Sequence, residues 1–338
     1  MIIGVDVGYG YTKAIAENGE SVVFPSVVGT GFERKLDRLM PSGASEADNY
    51  DLIISRINRD EPQRYFVGNL AILHSHDAAR PFSDNRSSAE EIKPALLTAV
   101  ARLSKDEGCT LVTGLPLEPY LKQAKSLKSS LEKLSGTEVI LNSEQTKIAF
   151  DRVIMFPQAV AAIYGQLKRN HLGSNGLVGL VDMGYRTTDI ILYDLTYRKI
   201  LDEYRDTVTC GMNDVVVGIR NEIKTETGDA PNLEWIEQAL IQQKPLYFNK
   251  RDYDVVDIAA RQEKAVRNLI VSHISRLWRD QIKKLKVLYL AGGGAFMLQS
   301  DISQFANCEV VQNAQMANAH GYLLKGLSEQ ENVQSGTT

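Results

Sequence analysis

Hydrophobic and polar positions alternate early in the chain in a way that writes strands, not helices. Ile2 to Val7 is a short apolar run ending in the glycine-rich turn Gly8-Tyr9-Gly10. Thr12 to Ala16 resumes strand character before Asn18-Gly19, a dipeptide whose φ > 0 tolerance suits a tight hairpin. Ser21 to Val28 supplies a third strand, so the chain opens strand, turn, strand, turn, strand. Past a polar stretch from Pro41 to Asn49, Leu52 to Ile57 and Tyr65 to Val67 flank a charged turn with Asp60 and Pro62 and predict another hairpin. Ala89 to Ser104 then places Ile92, Leu96, Leu97, Val100 and Leu103 at helical spacing. A short buried strand is expected over Thr110 to Thr113 and a helix over Leu117 to Leu134, then two strands from Val139.

A helix is expected to begin near Pro157, because proline suits a first helical turn. His171 to Gly176 reads as a linker, and the strand Gly179 to Val181 then runs into a second Asp and Gly turn. Helices follow at Asn213 to Thr225, Leu233 to Gln242 and Ile258 to Lys284. A strand over Val287 to Leu290 meets three glycines, and a terminal helix is expected around Ala317 to Gly326. The pattern therefore divides the chain into residues 1–170, residues 171–327 and a polar tail, 328–338, expected to be disordered. At 338 residues the chain is long enough for two cores, since a single core stops growing near roughly 250 to 300 residues.

Charge narrows the function classes. With 38 basic and 42 acidic residues the formal net charge is −4, which gives no electrostatic footprint for direct nucleic-acid binding. Cys109, Cys210 and Cys308 are too far apart in sequence for a zinc knuckle or redox pair and read as reduced thiols. No stretch is long and apolar enough to span a membrane and Met1-Ile2-Ile3 opens without a signal-peptide pattern, so a cytoplasmic protein with no membrane contact is expected.

The two openings repeat each other. Asp6, Gly8, Tyr9 and Thr12 recur at the same offsets as Asp182, Gly184, Tyr185 and Thr188, each set after an apolar strand. Glycine lets a turn's backbone approach a ligand closely, and successive N–H groups then converge on phosphate oxygens. Lys13 adds positive charge beside the first turn, and an aspartate at each strand end suits Mg2+, which keeps several waters and takes one or two carboxylates. One Asp-x-Gly alone is more often a turn cap; the pairing favours a metal clamp made by Asp6 and Asp182. Gly8-Tyr9-Gly10-Tyr11-Thr12-Lys13 lacks the third glycine of a dinucleotide fingerprint and leads into a strand where that fingerprint needs a helix. No Gly-Lys-Ser/Thr phosphate loop occurs.

These segments resemble, in order, the five motifs of the actin, sugar-kinase and heat-shock-chaperone superfamily. Asp6 to Lys13 and Gly179 to Asp189 are similar to its two phosphate motifs, Phe156 to Ala162 and Asn318 to Gly321 to its connecting helices, and Ala291 to Phe296 to its adenosine motif. Tyr65 to Ala71 and Val112 to Tyr120 resemble the plasmid-segregation actins of the ParM type. The resemblance implies an α/β actin-like fold of two duplicated ribonuclease H-like domains with a nucleotide cleft between them, and ATP or GTP with Mg2+ as cofactors. It further implies phosphate contacts from Gly8, Tyr9, Gly10, Tyr11, Thr12, Lys13, Gly184, Tyr185, Thr187 and Thr188, and adenosine contacts from Gly292, Gly293, Gly294, Phe296, Glu222 and Lys224. Gln158, early in the first connecting helix, would orient the attacking water, with Asp182 beside it; positioning suffices for phosphoryl transfer, and hydrolysis should be slow. Tyr185-Arg186 stands where many relatives have two glycines, and Arg186 reads as a solvent-facing turn residue.

Three functions fit such a fold. The first is a polymerising nucleoside triphosphatase that assembles head to tail and moves plasmid DNA through a separate DNA-binding adaptor. The others are a small-molecule kinase, for which no convincing base or acceptor pocket is legible, and a cell-shape or scaffold actin. His74 and His76 have a spacing that suits metal on a strand but read as surface residues. Val266, Leu269, Ile270, Ile274 and Leu277 predict an apolar stripe on the long helix, whose Arg261, Lys264, Arg267, Arg276, Arg279, Lys283 and Lys284 read as a solvated face or a filament contact.

Overall fold

The computed structural model describes residues 1–34, 49–55, 61–80, 92–105, 108–303, 305 and 307–335. The chain forms two compact units, one of residues 1–168 with 316–338 and one of 169–315. In the first unit the elements are β1 (Ile2–Val7), β2 (Tyr11–Ala16), β3 (Ser21–Pro25), β4 (Val28–Thr30), β5 (Asn49–Ile54), β6 (Gln63–Gly68), α1 (Asn69–His74), α2 (Lys93–Ser104), β7 (Cys109–Thr113), α3 (Leu117–Glu132), β8 (Glu138–Leu141), β9 (Glu144–Lys147), β10 (Phe150–Met155) and α4 (Val160–Arg169). The second has β11 (Leu177–Met183), β12 (Thr188–Asp194), β13 (Lys199–Ile200), β14 (Asp206–Val208), α5 (Met212–Thr227), α6 (Leu233–Gln242), β15 (Leu246–Phe248), β16 (Arg251–Tyr253), α7 (Val255–Trp278), β17 (Leu285–Ala291), α8 (Ala295–Ile302) and β18 (Cys308–Val310). Helix α9 (Ala317–Gln334) belongs to the first unit.

Each unit is built on the same sheet. In the first the order is β10-β7-β1-β2-β3, with β1–β2–β3 antiparallel and β7 and β10 parallel to β1. In the second it is β13-β12-β11-β17-β18, again an antiparallel meander beside two parallel strands. All six residues of β1 and all seven of β11 are buried, as a strand covered on both faces requires. That burial explains why both read as nearly continuous apolar runs. The duplication seen in the turns thus extends to whole sheets.

In the first unit, α2 lays Ala95, Leu96, Ala99, Val100 and Leu103 into the core that includes Ile3, Val5, Ala14 and Phe24. On another cluster of the same sheet, Tyr322 of α9 packs with Ile2, Val112 and Ile154, and Ala319 packs with Ile15. The terminal helix is therefore a wall of the first sheet, where the sequence reading had it ending the second domain. It also continues to Gln334, past Gly326, where a tail was expected from 328. A second small sheet, β4-β6-β5-β8-β9, completes this unit. The turn with Asp60, the polar stretch 41–48 and the expected helix start at 89–91 lie outside the described residues.

Other boundaries moved for local reasons. The expected strand Ser21 to Val28 splits into β3 and β4 around Ser26 and Val27: Ser26 N–H still follows the β2–β3 register to the Gly10 carbonyl at 2.9 Å, but Val27 N–H turns back to the Pro25 carbonyl at 2.8 Å and Val28 N–H goes to the Ala79 carbonyl at 2.9 Å. The long helix ends at Trp278, where Arg279 adopts φ 43° and a 3-10 turn, Arg279–Lys284, carries the chain to β17. Its buried face is Val255, Ile258, Ala259, Val266, Ile270, Ile274 and Trp278, whose indole covers Gly179 of β11; Leu269 of the expected stripe is exposed.

Candidate functional site

The first turn is held from several sides. Gly8 N–H donates to the Tyr11 carbonyl at 3.1 Å, closing the hairpin between β1 and β2. The register sets Asp6 directly opposite Lys13. Asp6 is 2% exposed, and both its oxygens are engaged: Lys13 Nζ donates to Oδ2 at 2.9 Å and Gln158 Nε2 to Oδ1 at 2.7 Å. A carboxylate this buried needs such partners, since an unpaired charge out of water is costly. Thr12 Oγ1 shares a hydrogen bond with Ser26 Oγ at 2.8 Å, which directs it inward to the turn's support.

Gln158 lies in the turn just before α4, not within the helix. Its N–H donates to the Leu115 carbonyl at 2.9 Å, and the next residue, Ala159, takes φ 58° while donating its N–H to Asn318 Oδ1 of α9 at 2.8 Å. Leu115 after β7 and Asn318 at the start of α9 thus fix where the carboxamide stands. Arg80 went unnoticed in the sequence. It is buried and donates to the Gly10 carbonyl at 2.8 Å across seventy positions, a contact that leaves no local signal.

The second turn repeats the closure, with Gly184 N–H donating to the Thr187 carbonyl at 2.9 Å. Its outer carbonyls meet the start of α5: Met212 N–H reaches Gly184 O at 3.2 Å and Asn213 N–H reaches Tyr185 O at 2.7 Å. Thr188 Oγ1 donates to the Cys210 carbonyl at 2.8 Å. The register pairs Asp182 with Asp189 across β11 and β12, and both are buried. Burial, opposed by the Thr207 hydroxyl at 2.5 Å and helped by the nearby charges of Asp182 and Asp206, pushes the Asp189 carboxyl up to about 7. Asp189 was not singled out for chemistry, although its place seven residues after Asp182 is what a tight hairpin turns into a cross-strand pair. Tyr185 donates its phenol proton to Glu237 of α6, and Glu237 was likewise unforeseen.

The glycine run after β17 abuts the same strand end. Ala291 pairs with Asp182, Gly294 N–H donates to the Met183 carbonyl at 3.1 Å, and Gly292 adopts φ 84° with space for no side chain, since a Cβ would lie 2.2 Å from Met183 O. Gly293 faces open space and Phe296 is exposed. The structure thus brings Gly292, Gly293 and Gly294 beside Asp182. Glu222 is tied to α7, accepting from Arg261 Nη2 at 2.7 Å and Gln262 Nε2 at 3.0 Å, and Lys224 is exposed on α5.

His74 ends α1 and stacks edge-on against Phe66, while His76 follows the helix, so the strand spacing does not apply. Among the described residues no three His, Cys, Asp or Glu side chains gather as a metal cage. Burial pushes the Cys109 thiol to about 12 and those of Cys210 and Cys308 to about 11, which keeps all three protonated. No described helix is long and apolar enough to cross a membrane.

Comparisons with known proteins agree with this architecture. Residues 4–160 match the family of actin like proteins, N terminal domain, and residues 180–304 match the archaeal actin homologue MreB-like C-terminal family. An archaeal actin homolog of Thermoplasma volcanium is 26% identical over 95% of this chain and 97% of its own length. A 15-stranded ParM filament from Clostridium botulinum superimposes with TM-score 0.85 at 26% identity, over 97% of this chain and 99% of that one. An archaeal actin homolog in complex with ADP shares the fold at TM-score 0.79 and 22% identity, over 97% of this chain and 100% of that one. Two family matches in chain order, the repeated sheet with its two acidic turns and a full-length structural likeness lead to one conclusion: the chain belongs to the actin-like ATPase superfamily.

Proposed function

We propose that this protein is a nucleoside triphosphatase that binds Mg-ATP or Mg-GTP with both turns, polymerises head to tail while the triphosphate is intact, and depolymerises after slow hydrolysis. The observation that carries this reading is the bond between Gln158 Nε2 and the buried Asp6 carboxylate at 2.7 Å. A carboxamide fixed by its nitrogen keeps its oxygen as an acceptor for the water that attacks the γ-phosphate. A glutamine orients that water without acting as a strong base, which accords with slow turnover.

The donor set fits magnesium, which takes one or two carboxylates and relies on phosphate and water for the rest. Asp6 and Asp182 are the residues that would hold it, and the ion would neutralise charge on the phosphate oxygens. Lys13 balances Asp6 directly and lies beside the turn whose N–H groups would receive phosphate. Gly8 to Thr12 and Gly184 to Thr188 would form the two phosphate turns. Gly292 to Gly294 beside Asp182 provide a bare backbone surface for the nucleoside, with Phe296, Glu222 and Lys224 its proposed neighbours. The ParM filament relative supports assembly with a second copy of the chain, and plasmid segregation through a DNA-binding adaptor, in the cytoplasm, is the role we assign to it.

Light scattering after addition of Mg-ATP or Mg-GTP tests the reading. It should rise and then decay as phosphate is released. Absence of scattering at every concentration, together with phosphate transfer to a metabolite, would overturn it. Asp182→Ala should reduce phosphate release to background while its circular dichroism stays that of the wild type; undiminished release would sink the site assignment.

A further inference from the structure

Tyr185 stands in the second phosphate turn, yet its side chain is committed elsewhere. The turn's backbone is pinned at Gly184 and Tyr185 by the first N–H groups of α5, and the Tyr185 phenol donates to the carboxylate of Glu237 on α6. Glu237 is 9% exposed, so this bond forms away from bulk water, where a charge-assisted hydrogen bond is strong and costly to leave unmade. Helix α6 is a separate short element, capped by Asn232 Oδ1 on Glu234 N–H, with Ile236 and Ala239 buried beneath it. Two residues before Glu237, about 200° around the helix, Trp235 is 52% exposed. A glycine at position 185 would have no side chain with which to reach α6.

We infer that Tyr185 is a positioning residue that couples the second phosphate turn to α6 through Glu237, so that occupation of the turn by nucleotide phosphate shifts α6 and the surface bearing Trp235. This rests on the nucleotide-binding role proposed above. Any movement of the turn that accommodates phosphate pulls on a strong bond to a rigid helix, and a rigid helix moves as a unit.

The chain reports on itself, because it has two tryptophans and the other, Trp278, is fully buried with its Nε1 donating to the Tyr204 carbonyl at 2.8 Å. Binding of a non-hydrolysable ATP or GTP analogue with magnesium is followed by calorimetry. Tryptophan emission is recorded in parallel, at protein concentrations below the onset of scattering. The wild type should bind and show an emission shift that Trp235→Phe removes. Tyr185→Phe should lose the shift, whereas Glu237→Gln should retain it, since the amide oxygen still accepts from the phenol. Glu237→Leu carries the expectation of Tyr185→Phe should that variant fail to fold. Binding without a Trp235 shift in the wild type, or a full shift in Tyr185→Phe or Glu237→Leu, overturns the coupling alone. A wild type that binds no nucleotide overturns the proposed function, and the coupling with it.

Discussion

At the scale of single residues, the buried carboxylates differ in their partners. Asp6 is balanced by Lys13 and Gln158, whereas Asp189 has a hydroxyl partner and carboxylates near it, so its proton is retained to about pH 7. The unfolded chain releases that proton near its ordinary value of 3.8, so between about pH 4 and about pH 7 the folded state binds more protons. The group's contribution to stability is therefore whole below about pH 4 and is lost as pH rises through about 7. Asp189→Asn is neutral throughout and its Oδ1 still accepts from Thr207. Its stability relative to wild type should grow by up to a few kcal/mol across that interval and then level off. Urea unfolding at about pH 5, 6 and 8, without nucleotide or metal, measures this; a difference independent of pH would refute it. The aspartates and turn glycines were legible because the turn repeat displays them, and Gln158 because Phe156 to Ala162 resembles a connecting helix of the superfamily. Arg80, Asp189 and Glu237 were not, because their meaning lies in partners that only folding supplies.

Among the elements, the most informative contact is that of α9 with α4. A Cβ on Gly321 would lie 1.9 Å from the Ala161 carbonyl, so the two helices approach at a point that admits no side chain. One turn earlier on α9, Asn318 holds the Ala159 N–H and so the position of Gln158. Gly321→Ala forces the helices apart; overpacking of this kind costs about 1–3 kcal/mol and sometimes more. The substitution should lower the denaturation midpoint accordingly and also reduce phosphate release, because the displacement reaches Gln158. An unchanged midpoint would show that α9 does not pack as described. Helical periodicity located α9, but the same apolar residues would serve against either sheet. On the long helix the spacing is more decisive, since Val266, Ile270, Ile274 and Trp278 follow one another every four residues on the buried face, and the indole of Trp278 lies over the bare Gly179.

For the whole molecule, the division into 1–168 with 316–338 and 169–315 has a direct consequence. The second unit is continuous in sequence and carries its complete five-strand path, so residues 169–315 expressed alone should fold cooperatively. Residues 1–168 lack α9, which would leave Ile2, Val112 and Ile154 uncovered. That fragment should aggregate or remain partly unfolded, and adding back 316–338 through a linker should restore a cooperative transition. Calorimetry of the three proteins decides this; a stable 1–168 fragment would contradict the wall-like role of α9.

Taken by itself, the amino-acid order determined the strands β1, β2 and β11, the two repeated glycine turns, most helices and the actin-like fold class. Each of these is written in near neighbours: burial makes a run apolar, a turn needs glycine, and a helix repeats every few residues. Tertiary structure alone decided that the terminal helix closes the first sheet, that Asp182 shares its burial with Asp189, and that Tyr185 reaches α6. Those outcomes depend on which distant surfaces meet, and hydrophobic burial, being non-directional, does not specify the partner in the local sequence.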